Sequence, residues 1–171
     1  MACRGVLFAI NEEIKEKLLS VGRTEIVEHI VEEIEEVFFE NNRDGLAEVD
    51  KAWDAIQRAF SNGKLLFTKE GEYPLNHLIF GESVLYGDRD DEDDYIVTLN
   101  NPQMVKDIYR ALEMLDESSF KQKYQAIDES EYGLPMGDDD FQYTWDWLKD
   151  TLLFWKMASE QNLYVIFTVD Q

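Results

Sequence analysis

Hydrophobic and polar residues follow two periods along the chain, which predict strands near both ends and helices through most of the middle. Short β-branched and aromatic runs predict strands at 6–10, 65–68, 84–86, 95–99 and 163–169. Apolar residues spaced three and four apart predict helices at 11–19, 24–39, 49–60, 74–80, 102–115 and 120–126, and a long last helix after Asp140. The predicted caps include Asn11, Thr24 and Asn100, and segment 128–137 is predicted to be irregular.

The order of these elements favours an α+β fold. Strands and helices do not alternate one for one, as they would in a doubly wound parallel sheet. A length of 171 residues and a hydrophobic fraction of 44% fit one domain with its own core. We therefore expect residues 1–171 to form a single α+β domain, in which several helices pack on a small, mostly antiparallel sheet.

The charge balance is strongly acidic and limits the partners that the protein can bind. The chain contains 37 Asp and Glu residues against 16 Lys and Arg residues, a formal net charge of -21. Nucleic acid is not expected as a direct partner, because binding to phosphates requires Lys and Arg to displace counterions. The same charge favours a basic protein partner, since opposite charges steer association.

One predicted helix concentrates this charge. The face of helix 24–39 that lies opposite its apolar stripe contains glutamates and no Lys or Arg. These glutamates are Glu25, Glu28, Glu32, Glu33, Glu35, Glu36 and Glu40. Without internal ion pairs, the helix depends on the packing of its apolar stripe for stability.

Two further acidic segments are predicted to bind the partner. The first is the run Asp88, Asp90, Asp91, Glu92, Asp93 and Asp94, which we interpret as a solvated, self-repelling loop. A calcium-binding EF-hand loop is not present, because the sixth position is Asp93 rather than Gly and the twelfth is Leu99 rather than Glu. A dedicated metal site in this run is the less favoured alternative, and we predict none.

The second segment is Asp138, Asp139 and Asp140, which precede the last predicted helix. Carboxylates there are favoured by the positive end of the helix dipole, and one of them is expected to cap the helix. No basic residue lies between Lys123 and Lys149, so this segment would also attract a basic partner.

The remaining reactive residue types give no catalytic motif. Glu25, His29 and Glu33 share one helix side, but a zinc site usually needs more nitrogen or sulfur ligands, so we predict a surface histidine. His77 is predicted to be a buried, hydrogen-bonded imidazole. Cys3, the only cysteine, is predicted to be structural and buried. We expect no catalytic residues and no cofactor, which favours a non-catalytic protein but leaves enzymatic activity open.

The distribution of apolar residues gives no sign of membrane targeting. The first apolar run is interrupted by Asn11, Glu12 and Glu13, too early for a signal peptide. No apolar run approaches the roughly 20 residues of a membrane span. We therefore expect a cytoplasmic protein that does not bind membranes.

Several short blocks resemble a known family. Cys3-Arg4-Gly5 precedes the first strand, Asp50-Lys51-Ala52-Trp53 precedes a helix, and Pro74-Leu75 is followed by Leu78 and Phe80-Gly81-Glu82. Together with the helix after Asn101-Pro102 and the closing helix and strand, these blocks are similar to the YfbM-like family of small bacterial proteins of unknown function. The resemblance covers most of the chain and implies an α+β domain with helices around a few strands. It implies no catalytic site.

Two functional hypotheses remain. The first is a non-catalytic immunity protein that neutralises a basic toxin by direct binding, since toxins that attack nucleic acid or nucleotides tend to have basic clefts. The alternative is an enzyme or small-ligand protein with a pocket near Arg4, Asp50, Lys51 and Trp53, where Arg or Lys binds an anionic ligand. For these four residues, a structural ion pair and a core tryptophan are the competing interpretation.

The excess of carboxylates predicts an unusual dependence of stability on pH and salt. Like charges repel in the folded chain, so it takes up protons in mildly acid solution more readily than the unfolded chain. The melting temperature should therefore rise as the pH falls from 7 toward about 5, and also rise with salt at pH 7. Thermal melts at both pH values, each at low and high salt, check this. A melting temperature that falls with moderate salt at pH 7 would mean that internal bases neutralise the carboxylates.

Overall fold

The protein is built on one antiparallel sheet, seen in a computed structural model that describes residues 3–67, 70–89 and 94–170. The strand order is β2-β1-β5-β4-β3, and each neighbouring pair is antiparallel. The strands are β1 (Gly5–Ile10), β2 (Leu46–Asp50), β3 (Ser83–Tyr86), β4 (Tyr95–Asn100) and β5 (Tyr164–Asp170). The predicted α+β class and antiparallel sheet are therefore confirmed.

Helices fill the connections between strands. They are α1 (Glu12–Ser20), α2 (Ile26–His29), α3 (Glu36–Asn41), α4 (Trp53–Phe60), α5 (Pro102–Glu113), α6 (Glu117–Gln125), α7 (Glu129–Tyr132), α8 (Asp138–Asp150) and α9 (Leu152–Glu160). A π-helical turn, Ile30–Glu35, joins α2 to α3, and 3-10 turns occupy Arg23–Glu25, Arg43–Gly45 and Leu75–His77. Within the described residues, no helix combines the length and the apolar character that a membrane span needs.

Both faces of the sheet are covered by helices. On one face, Leu7 and Ala9 of β1 join a core with residues of α4, α5, α6, α8 and α9. On the other face, Phe8 and Ile10 join a core with α1, α2 and α3 and the π-helical turn. All six residues of β1 and of β4 are buried. Because successive side chains of a strand point to opposite faces, two-sided burial explains why these strands have few exposed polar positions.

The largest error in the sequence prediction is at 49–60. This segment was predicted as one helix, but Val49 is buried in β2, which pairs with β1, and the helix begins only at Trp53. Asp50, with φ of 45°, makes the left-handed turn that separates the two elements. The strand predicted at 65–68 is also wrong for 65–67, which form no strand, and Thr68 lies outside the described residues.

Several helix boundaries also differ from the prediction. Segment 24–39 is helical, but it passes from a 3-10 turn to α-helix, then to a π-helical turn and back to α-helix. Gly22 rather than Thr24 occupies its N-cap position. Segment 74–80 contains only a single 3-10 turn, and the irregular segment 128–137 includes α7. Asn101, not Asn100, caps α5, because its Oδ1 accepts a 2.9 Å hydrogen bond from the Met104 amide. The last helix is interrupted at Thr151.

Buried side chains hold the irregular segment 75–82 in the core. Gln57 accepts a hydrogen bond from the Phe80 amide at 2.8 Å, and Thr98 donates to the Ile79 carbonyl at 2.8 Å. Asn100 donates to the His77 carbonyl at 2.6 Å. These bonds satisfy backbone groups that would otherwise be buried without partners. The His77 side chain is buried as predicted, but its Nδ1 has no hydrogen-bond partner among the described residues, so the predicted bond is absent at that atom.

Candidate functional site

One acidic surface is the outer face of the helical segment between Arg23 and Asn41. Its inner face is buried against the sheet through Ile26, Ile30, Ile34 and Phe38. The exposed glutamates of its outer face form what we call the acidic ridge: Glu25, Glu28, Glu32, Glu33, Glu36 and Glu40. None of their carboxylates is in an ion pair or a hydrogen bond with a described residue. The ridge therefore presents uncompensated negative charge to solvent.

Glu35 does not belong to this ridge, although the helical period placed it there. It lies in the π-helical turn, where the wider turn rotates it toward the sheet, and its Oε1 accepts hydrogen bonds from Tyr95 and, at 3.0 Å, from Thr168. Burial and the neighbouring Glu35 carboxylate raise the pKa of the Tyr95 hydroxyl, which therefore remains a donor. These bonds attach the ridge segment to β4 and β5.

Of the first predicted docking segment, the structure describes Asp88 and Asp94. Asp88 is bound by Arg23, with 2.8 Å between Oδ1 and Nη2, and the guanidinium also lies 5.2 Å from the centroid of the Tyr86 ring. Asp90, Asp91, Glu92 and Asp93 lie outside the described residues. Asp94 is exposed. Asp88 thus has a structural role that ties the end of β3 to the beginning of the ridge segment.

The second predicted docking segment forms the first turn of α8 instead of preceding it. Gly137 occupies the cap position, and no side chain accepts a capping hydrogen bond there, so the expected aspartate cap is wrong. Asp138, Asp139 and Asp140 remain close to the positive end of the helix dipole.

Of these three carboxylates, two have partners within the chain. Asp138 lies 3.5 Å from Lys121, and Asp140 accepts hydrogen bonds from Tyr124 and Tyr132. Asp139 is exposed. The segment borders the core formed by α4 to α9, whereas Asp88 borders the helical layer on the opposite face. Asp88 and the aspartates of α8 therefore lie beside different helical layers.

The residues of the alternative pocket separate into two groups. Arg4 and Asp50 form an ion pair, with 3.4 Å between Nε and Oδ1. Asp50 also accepts a 2.6 Å hydrogen bond from the Tyr143 hydroxyl, which in turn accepts a 3.3 Å bond from the Lys51 amide. Burial, and next the bond to Asp50, raise the pKa of Tyr143 to about 12. These contacts hold the left-handed turn at Asp50. The pair of Arg4 and Asp50 is therefore the structural ion pair of the competing interpretation.

Lys51 and Trp53 instead line a cavity of about 350 Å³. Asp54 and Tyr132 contribute polar groups to it, and Cys3, Leu65 and Leu134 complete the lining. The Trp53 indole is buried, and its Nε1 donates a 3.1 Å hydrogen bond to the Cys3 carbonyl. This bond fixes the orientation of the ring. Cys3 is half-buried, less than predicted.

The described residues contain no group of three or more His, Cys, Asp and Glu side chains placed to hold a metal ion. In this part of the chain, Glu25, His29 and Glu33 therefore do not form the zinc site that their spacing allowed.

Comparison with known proteins agrees with this fold and is silent on activity. A family model described as a domain of unknown function, DUF1877, matches residues 1–168. The crystal structure of YfbM from Escherichia coli, a protein of unknown function, is similar with a TM-score of 0.65 and 19% sequence identity. That match covers 97% of this chain and 99% of YfbM. No curated protein matches the chain.

The Tyr143 contact predicts a stability difference that depends on pH. Replacing Tyr143 with Phe removes the bond to Asp50, and we expect a loss of about 1 kcal/mol in the free energy of unfolding near pH 8. The pKa of Tyr143 is higher in the folded chain than in the unfolded chain. The folded wild type therefore keeps the phenolic proton over a pH range in which the unfolded chain has lost it. Its advantage over Tyr143→Phe should therefore shrink as the pH rises from about 10 toward 12.

Urea unfolding of both proteins at a series of pH values measures this difference. A difference that stays constant above pH 10, or that is absent at pH 8, would show that Tyr143 does not bind Asp50 in solution.

Proposed function

The chain belongs to the DUF1877 family, and for this member we propose a non-catalytic function: it binds a basic protein partner through its acidic surface. We further propose that the partner is a toxin or effector and that the protein acts as an immunity protein by direct binding. The observation that supports this proposal is the acidic ridge, whose six carboxylates are exposed and unpaired among the described residues.

The shape of the ridge suits a basic cleft. At about 1.5 Å of rise per residue, the segment from Glu25 to Glu40 extends roughly 20 Å, which matches a cleft rather than a single basic residue. Val37, 43% exposed, lies within the same segment and offers an apolar contact among the carboxylates. Fixed charge of one sign accelerates association with an oppositely charged surface, and occupation of that cleft would block a substrate.

The partner can be captured by placing a photo-crosslinking amino acid at position 37 in cells of the native host. A matched crosslinker at Leu134, which is 53% exposed and lies outside the ridge, identifies background partners. We expect a basic protein that crosslinks at position 37 and not at position 134. Recovery of only neutral or acidic proteins at position 37 would contradict the proposal.

Kinetics with the purified partner then test the ridge itself. The triple variant Glu28→Gln, Glu32→Gln and Glu36→Gln should lower the association rate constant by about tenfold at low salt, and should flatten its dependence on ionic strength. The matched control, Glu117→Gln with Glu131→Gln and Glu160→Gln, removes the same charge from exposed positions outside the ridge and outside both predicted docking segments. If both triple variants lower the rate equally, net charge rather than the ridge governs association.

A second candidate function is small-ligand binding at the cavity lined by Lys51 and Trp53. The specific observation is that two of the four residues singled out in the sequence line one cavity of about 350 Å³. The exposed Lys51 ammonium beside aromatic and aliphatic side chains, with the Asp54 carboxylate already paired to Arg58, would suit a small aromatic carboxylate.

Titration with indole-3-acetate, followed by NMR of the tryptophan indole protons, tests this candidate. We expect the Trp53 signal to shift, and Lys51→Met to weaken binding by about tenfold, since it removes the charge but keeps the chain length. A Trp53 signal that does not move at millimolar ligand, or equal affinity in Lys51→Met, would contradict it.

A further inference from the structure

The two edges of the sheet differ in how they are protected. At the β3 edge, Arg23 donates a 3.2 Å hydrogen bond to the Leu85 carbonyl, and that strand has only four residues. At the β2 edge, the Leu46 amide donates to the Arg43 carbonyl of the preceding 3-10 turn, but within the described chain no helix or loop backbone bonds to Ala47 or Glu48. An edge strand directs alternate N–H and C=O groups away from the sheet, where they can pair with another extended chain.

A groove runs along this open edge. A cavity of about 520 Å³ is lined by Leu46, Ala47 and Glu48 in succession. Because successive side chains of a strand point to opposite faces, a cavity that reaches all three residues must follow the edge of the strand rather than one face. We call this cavity the β2 groove.

The opposite wall of the β2 groove is apolar. It consists of Trp147 from α8 and Phe154 and Met157 from α9, with Leu153 at its rim. Leu153 is 76% exposed, so a large aliphatic side chain faces solvent in the same groove as Ala47 and Glu48. This pairing of an open edge with an apolar wall provides both parts of strand addition: backbone bonds for affinity and side-chain contacts for selectivity.

Charge distinguishes between the occupants that could fill the groove. Its lining contains Asp44, Glu48 and Asp150 but only one basic residue, Arg43. A second copy of this chain would bring the same carboxylates together, and each copy has a formal net charge of -21. A partner segment with basic residues is favoured instead, since it would neutralise this lining.

We propose that the β2 edge binds an extended segment of another protein by strand addition, and that apolar residues alternate with basic residues in that segment. The apolar side chains pack against Trp147 and Leu153, and the basic side chains lie near Glu48 and Asp150. This inference is independent of the acidic ridge, because it rests on backbone groups and an apolar wall on a different part of the molecule.

A synthetic peptide tests the proposal without knowledge of the natural partner. The probe is a capped octapeptide in which valine and lysine alternate, and the full-length protein is titrated with it by calorimetry. Hydrogen exchange monitored by NMR should show slower exchange in the bound state for an amide within 47–48, since the Leu46 amide is already bonded in the free protein. Two control peptides accompany it: one with alternate backbone nitrogens methylated, and one with glutamate in place of lysine. Both controls should bind at least tenfold more weakly.

Protein variants locate the binding surface. Leu153→Asn should weaken the binding of the valine-lysine peptide by about tenfold, the loss expected when a leucine contact is removed. Met114→Asn is the matched control, because Met114 is 84% exposed but lines a different cavity, and it should leave the affinity unchanged. Glu28→Gln on the ridge should also have little effect, which separates this test from that of the ridge.

Several outcomes would overturn the proposal. Equal binding of the methylated peptide would show that attraction is purely electrostatic, and equal effects of Leu153→Asn and Met114→Asn would place the peptide elsewhere. No binding at millimolar peptide would also refute it. Sedimentation velocity tests the competing occupant: a dimer that Leu153→Asn dissociates would show that a second copy, not a basic segment, covers the β2 groove.

Discussion

Two-sided burial of the sheet is the constraint that organises this protein. The central strands have no solvent-facing side, since Phe8 and Ile10 enter one core while Leu7 and Ala9 enter the other. A chain with 37 carboxylate residues can then place them only on the outer faces of helices, at sheet edges and in loops. The layer formed by α1, α2 and α3 places many of them on its outer surface. The acidic ridge is a direct result of this restriction.

The polar groups that do enter the interior are held by specific partners. Gln57 and Asn100 satisfy the backbone of a buried irregular segment, and Glu35 accepts bonds from Tyr95 and Thr168. The bonds of Glu35 fix the π-helical turn against the sheet, so that the neighbouring ridge is presented by a fixed helix. A pre-organised surface loses less conformational entropy when a partner binds, which favours the ridge as a docking surface.

The sequence predicted the elements that have a strong period or a clear terminus. Strands such as β1 and β5, and the proline-initiated α5, were predicted within a few residues, as was the α+β class. Strand β2 was missed because its short Leu-Ala-Glu-Val-Asp segment joins an apolar pattern that continues into α4. The buried role of Glu35 depends on a π-helical turn, which a period of 3.6 cannot reveal.

The docking segments around Asp88 and Asp138 were chosen from clustering along the chain, whereas clustering in space depends on which helical layer each segment joins. A face of glutamates without Lys or Arg was the signal that identified the ridge, and it was visible in the sequence.

We infer that the ridge is the strongest uncompensated negative surface among the described residues of the free protein. It can be measured directly by NMR, from the relaxation that a cationic and an anionic nitroxide co-solute each cause at backbone amide protons. The ratio of the two effects reports the local electrostatic potential at each amide. Our account predicts the largest cation-to-anion ratios at Glu28, Glu32 and Glu36, well above those at Asp138 to Asp140, where two of the three carboxylates have partners. Ratios at the ridge that equal or fall below those of the α8 first turn would contradict it.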